Sequence, residues 1–192
     1  MRWANFANSF WYADSMAIKA AHGFSVFCRQ DFIGADYGLL DCSTQTPLPD
    51  YYLSKIWTEL MGAGVLTVTV AAGPRTTRAY AHCAADDARD LMVLLLNLDA
   101  EAASVTLAVS DNNDGMVNNT TKAARTEWHF TAGAGGLGGT TVRLGGNELA
   151  WTPGRPLPAM PGVSERSSEP VRMAPQSIAF VRLPGAAPVG LC

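Results

Sequence analysis

The sequence predicts an α/β segment followed by an all-β region, and three observations predict it. Apolar residues recur at helical spacing through residues 1–22 and again after Pro49. One short apolar run, Ser25 to Phe27, lies between those two stretches. From Val65 onward, short apolar or alternating runs are separated by Gly, Pro, Asp and Asn clusters. The 192 residues are 48% hydrophobic and 16% charged, enough to bury a core in one domain or two small ones.

The first helix is expected over residues 1–22. Trp3, Phe6, Phe10, Ala13 and Ala17 share one face, Asp14 and Lys19 lie off it, and Gly23 suits the C-terminal cap. An aromatic stripe at this spacing reads as core packing. Ser25 to Phe27 predicts a buried strand, with Cys28 beside it as a reduced core thiol. Gln30, Asp31, Asp36 and Tyr37 follow, in a loop marked by Gly34 and Gly38. A strand that ends in polar residues before such a loop is how an α/β barrel presents binding groups. The same pattern also fits an ordinary solvated exit.

A second helix is announced by Pro47-Leu48-Pro49-Asp50, with Asp50 expected as N-cap. Tyr52, Ile56, Trp57 and Leu60 form its apolar face, and Gly62 and Gly64 end it. A lone strand between two helices needs neighbouring strands on both sides, so residues 1–64 read as part of a larger α/β domain. Residues 65–192 read as a β-sandwich or barrel. Strands are expected over 65–70, 78–82, 91–98, 104–109, 126–130, 140–144 and 177–182, with 151–170 as a proline-rich surface connection.

Several motifs are excluded on context. Gly133 to Gly138 matches G-x-G-x-x-G, but strand-like residues 140–144 follow where a dinucleotide site needs a helix. Asn147-Glu148 follows Gly145-Gly146 and is expected in a turn between strands. His22, His82 and His129 are scattered and no Cys-x-x-Cys occurs, so neither a metal nor a cofactor is expected. A net charge of −3 argues against a nucleic-acid partner. No apolar run reaches the ~20 residues of a membrane-spanning helix, and no signal-peptide core is visible. Asn118 and Asn119 open two overlapping glycosylation sequons. Of the four cysteines, Cys83 follows a predicted strand and Cys192 ends the chain. A bridge between them would tie the C-terminus down. The pairing of Cys28 and Cys42 stays open.

The segments Asn8-Ser9-Phe10-Trp11-Tyr12-Ala13-Asp14, Cys28-Arg29-Gln30, Ile33 to Leu40 and Pro49-Asp50-Tyr51-Tyr52 together carry a resemblance. It continues through Tyr80 to Cys83, Leu94 to Leu98 and Ala174 to Val181, to the terminal cysteine. In this order they resemble the heparanase-like proteins of glycoside hydrolase family 79, in the plant and algal branch. The resemblance implies a fold in two parts. Residues 1–64 would close a (β/α)8 TIM barrel with its last strand and flanking helices, and residues 65–192 would form a C-terminal antiparallel β-sandwich. It also implies the Cys83–Cys192 disulfide.

The implied chemistry is retaining hydrolysis of β-glucuronosyl linkages, by an acid/base and a nucleophile glutamate about 5–5.5 Å apart. Both glutamates are expected upstream of Met1. Glu59, Glu101, Glu127, Glu148, Glu165 and Glu169 match neither motif, so this chain is read as a C-terminal fragment, inactive by itself. Gln30, Ala35 and Tyr37 match residues that contact the sugar, with Ala35 standing in place of a glycine. Asp31 is expected to point into a hydrogen-bonded core, and the weak basic cluster of Arg75 and Arg78 argues against tight binding of heparan sulfate. The implied partners are a polysaccharide or proteoglycan containing glucuronic acid and the upstream part of the same barrel. The implied address is secreted: extracellular or cell-wall, or a lysosome- or vacuole-like compartment, with membrane association also in the family's range. The alternative is a non-catalytic truncated homologue, or a β-sandwich module for interaction or secretion.

Overall fold

A computed structural model describes residues 3–71, 75–110, 116–117, 124–188, 190 and 192. The sequons at Asn118 and Asn119 lie outside these residues. The described chain is two helices followed by mostly antiparallel strands, in two compact units. The first unit joins Met1–Glu59 to His129–Pro161, and the second joins Leu60–Trp128 to Gly162–Cys192. The division expected near residue 64 thus falls at residue 60, and part of the expected all-β region packs with the helices.

The chain runs α1 (Phe6–Ala21), α2 (Pro49–Leu60), β1 (Met61–Leu66), β2 (Thr77–Ala84), β3 (Leu91–Asn97), β4 (Ala103–Val105), β5 (Val109–Ser110) and β6 (Met116–Val117). It continues through β7 (Arg125–Ala132), β8 (Val142–Leu144), β9 (Asn147–Glu148), β10 (Val163–Glu165), β11 (Val171–Met173) and β12 (Ser177–Leu183).

In the first unit, the Asn5 side chain caps α1 by accepting from the Asn8 amide at 3.1 Å. Phe6, Phe10, Ala13 and Ala17 are buried on one face, as the periodicity predicts. Trp3 departs from that expectation: it precedes the helix and is exposed. Gly23 follows with φ +80°, where the Phe24 amide reaches back to the Lys19 carbonyl at 3.0 Å. Here the expected buried strand fails. Residues 24–29 have no strand partner among the described residues, and Phe24 and Val26 are 61% and 72% exposed. Without a neighbouring strand to take its backbone groups, Phe24 and Val26 of this run stay on the surface, while Phe27 is half-buried against Tyr12. Cys28, expected in a core, is exposed and free for the same reason.

Asp50 lies inside the first turn of α2, not at the cap, because helical geometry already begins at Pro49. The helix ends at Leu60, and Met61 passes straight into β1, so Gly62 and Gly64 belong to a strand. The second half of β7 pairs with β8 (Phe130 with Leu144), and β8 turns into β9 through Gly145 and Gly146. Their φ values of +57° and +85° are those that a two-residue hairpin turn of this hand requires. The turn is therefore the glycine pair, and Asn147-Glu148 is strand. Gly133 to Gly138 forms turns and one short 3₁₀ segment, with no helix behind a phosphate loop.

In the second unit, β1, β2, β3 and β12 lie side by side, all antiparallel. Ala81, Val93 and Val181 stand in one row, and Ala79, Leu95 and Ala179 in the next. With Leu91 and Leu183 they form one apolar face, against which Val171 and Met173 of β11 and Ala103 and Val105 of β4 pack. β3 is buried along its whole length, on both faces. That explains why its sequence runs apolar without alternation.

The 151–170 connection is less loose than its prolines suggest. Val163–Glu165 forms β10 on the first half of β7. Arg125 is buried beside Glu127 and also donates to the carbonyls of Arg166 (2.6 Å), Glu169 and Pro170. Cys83 and Cys192 form the expected disulfide across a separation of 109 residues. Nearby, Arg182 pairs with Asp90 (2.7 Å) and Asp86 (3.0 Å), and Asp90 accepts from the Gly185 amide.

Candidate functional site

The segment from Arg29 to Leu48 sits between the two helices in sequence, and its loops are held by main-chain hydrogen bonds. The Leu39 and Leu40 amides donate to the Asp31 and Phe32 carbonyls at 3.0 and 2.9 Å. The Gly38 amide donates to the Ala35 carbonyl, and the Ala4 amide to that of Asp36. Residues 30–38 therefore form a closed loop rather than a free one.

Arg29 and Asp50 anchor this loop. The Arg29 guanidinium donates to the Asp50 carboxylate and to the Tyr37 carbonyl, both at 2.9 Å. It also lies 5.2 and 5.5 Å from the ring centres of Tyr12 and Trp11. Asp50 accepts two more bonds, from Ser9 Oγ at 2.6 Å and Asn8 Nδ2 at 2.7 Å. The carboxylate is almost wholly buried, and burial raises its pKa. The Ser9 hydrogen bond, Arg29 and Asn8 oppose that rise. Tyr12 is pushed up by its own burial and by the nearby Asp50 charge.

The rim that this hub supports carries the three residues that the resemblance marks as sugar contacts. Gln30 is exposed, and Ala35 and Tyr37 are half-buried. Ala35 and Asp36 line a cleft of about 250 Å³ together with Cys42. Cys42, unplaced by the sequence, donates through Sγ to the Ala35 carbonyl at 3.3 Å and is exposed.

Asp31 does not reach the hydrogen-bonded core expected for it. Its Oδ1 is buried without a partner, packed so closely over Gly38 and Gly34 that a Cβ there would come within 2.8 and 3.0 Å of the carboxylate. Small residues at 34 and 38 make the space this side chain occupies. Among the described residues, no group of three metal-ligating side chains could hold an ion, and no helix is long and apolar enough to cross a membrane.

Sequence reasoning alone missed Asp50 as the buried partner of Arg29. The signals were present, since a proline-led helix start places a carboxylate near α1, but nothing local says that residue 29 comes back to meet it.

No protein-family model matches the chain. It is 36% identical, over 93% of its length, to heparanase-like protein 3 of Arabidopsis thaliana, of which it covers 36%. It is 34% identical, over 97% of its length, to baicalin-beta-D-glucuronidase of Scutellaria baicalensis, covering 34% of that protein. Over nearly its whole length the chain is similar to heparanase-like proteins. Heparanase of Mus musculus is also similar, at 40% identity over 41% of this chain. The heparanase-like chain spans about a third of the length of its two plant relatives.

Proposed function

We propose that this heparanase-like chain is the C-terminal portion of a retaining glycosidase that hydrolyses glucuronic-acid-containing glycans. The observation that carries the reading is its similarity, over 97% of its length, to a protein named as a β-D-glucuronidase. The rim supports it: Gln30, Ala35 and Tyr37 stand on one loop, pinned by Arg29 to a buried carboxylate. In this reading they hold the sugar, and both catalytic glutamates lie on the upstream portion.

The first unit's helices and the extended run 24–29 then close a (β/α)8 barrel. The exposed, unpaired edge at Phe24 and Val26 is where neighbouring strands of the upstream portion would pair. The second unit serves as the β-sandwich, a reading supported by the β4–β11 pair over the face of β2, β3 and β12. The Cys83–Cys192 disulfide fits an oxidising, secretory compartment.

The test compares two proteins on a p-nitrophenyl β-glucuronide. The 192-residue chain alone is expected to show no turnover. A chain extended upstream through the expected strand-seven glutamate hydrolyses it with retention, and Tyr37→Ala in that longer chain raises KM. Turnover by the short chain, or an inactive extended chain that folds, overturns the proposal.

A further inference from the structure

A second cleft, of about 330 Å³, lies within the first unit; it shares Asp41, Ser43 and Leu48 with the cleft beside Ala35 but is not lined by Gln30, Ala35 or Tyr37. Its walls come from the 41–48 loop, from α2 at Tyr52 and from residues 140–151. The volume is within the range of small-ligand sites. Asp41 and Glu148 contribute carboxylates, Thr44 and Thr46 hydroxyls, and Trp151 an indole. Among the described residues, none of the lining side chains is basic.

Three features make this more than a dent. The Trp151 indole, which lines the cleft, donates through Nε1 to the Arg155 carbonyl at 2.8 Å, and this bond holds the ring. Asp41 is pinned by the Ser43 and Thr44 amides and hydroxyls, so the loop wall is built rather than free. Tyr52 is 2% exposed, and its hydroxyl is buried without a hydrogen-bond partner. Leaving such a hydroxyl unpaired is unfavourable, and a ligand group that gains access to it would supply the missing partner.

We infer that this cleft binds an uncharged sugar residue. Hydroxyl-rich ligands match a wall of carboxylate and threonine oxygens, and the apolar face of a pyranose matches a fixed indole. Two carboxylates with no basic side chain among them repel uronates and sulfated sugars. The ligand class is thus the opposite of the one proposed for the rim, and the inference stands whether or not that reading holds.

The test is a titration of the full 192-residue chain, followed by amide and indole NMR shifts. Methyl β-galactoside is expected to shift Thr46, Glu148 and the Trp151 indole. Glucuronate at neutral pH binds there at least about tenfold more weakly. Trp151→Ala weakens the galactoside by about tenfold. Glu148→Gln, an exposed position whose change leaves the fold intact, narrows the gap between the two sugars. No shifts up to tens of millimolar, or glucuronate binding as well as the galactoside, overturns the inference. So does a galactoside response confined to the Tyr37 rim.

Discussion

Arg29 and Asp50 set the energetics at the scale of single residues. Both side chains are buried and pair with each other and with polar neighbours, although Arg29 Nε is buried without a partner. Removing one partner strands a charge away from water. Arg29→Ala is therefore expected to destabilise the protein by about 3–5 kcal/mol in urea unfolding. In a double-mutant cycle with Asp50→Ala, the second change should add much less, with a coupling on the order of 1–3 kcal/mol. Additive losses would show that the two do not act as a pair. His82 offers a different handle. Burial lowers its pKa, while a hydrogen bond to the Gly62 carbonyl at 2.8 Å works the other way. The unfolded chain then binds the proton more readily than the folded one. Stability from this group is full above about pH 6.5 and is lost as pH falls through the lowered folded value. His82→Gln should flatten that slope in thermal melts recorded between mildly acidic and neutral pH. An unchanged slope would assign the acid lability elsewhere.

Among the elements, β3 and the run 24–29 are opposites. β3 has strands on both sides, and its Leu95 has no exposed surface. Leu95→Ala should cost about 2–5 kcal/mol, read from the urea midpoint. The 24–29 run has no partner, and Val26 faces solvent. Val26→Lys is expected to change stability by less than about 0.5 kcal/mol. It should lower concentration-dependent light scattering, because it places a charge on an exposed apolar edge. A large loss of stability would mean that this edge is already packed in solution. The β10–β7 contact is tight in another way. A Cβ on Gly162 would come within 2.7 Å of the Trp128 ring and 2.3 Å of Thr126. That closeness leaves glycine as the residue that lets the two strands meet.

For the molecule as a whole, the longest-range covalent tie is the Cys83–Cys192 bridge. A loop of this length lowers unfolded-state entropy enough to stabilise by about 4–5 kcal/mol in the chain-entropy model. Reduction, or Cys192→Ser, should shift the urea midpoint by that order, with the larger effect in the second unit's signals. Arg182 and Asp90 hold the same C-terminal stretch noncovalently, so its local order should partly survive reduction.

Periodicity and turn chemistry determined much of this protein by themselves. Both helices, the buried β3, the strands β2 and β12 and the rejection of a phosphate loop all follow from spacing within one stretch of chain. The order of motifs along the chain carries the resemblance to the heparanase-like proteins and, through it, the expectation of the Cys83–Cys192 disulfide that the structure contains. Tertiary structure decided what depends on a partner far away in sequence. It left Phe24, Val26 and Cys28 exposed because no strand lies beside them among the described residues. It drew His129–Pro161 into the unit of the helices. It brought Asn8 and Ser9, more than forty residues upstream, onto Asp50, and Arg29 with them. Local sequence specifies which face of an element is apolar or polar. Which distant group meets that face is settled only when the chain closes, by the cost of leaving a charge or a backbone group unpaired.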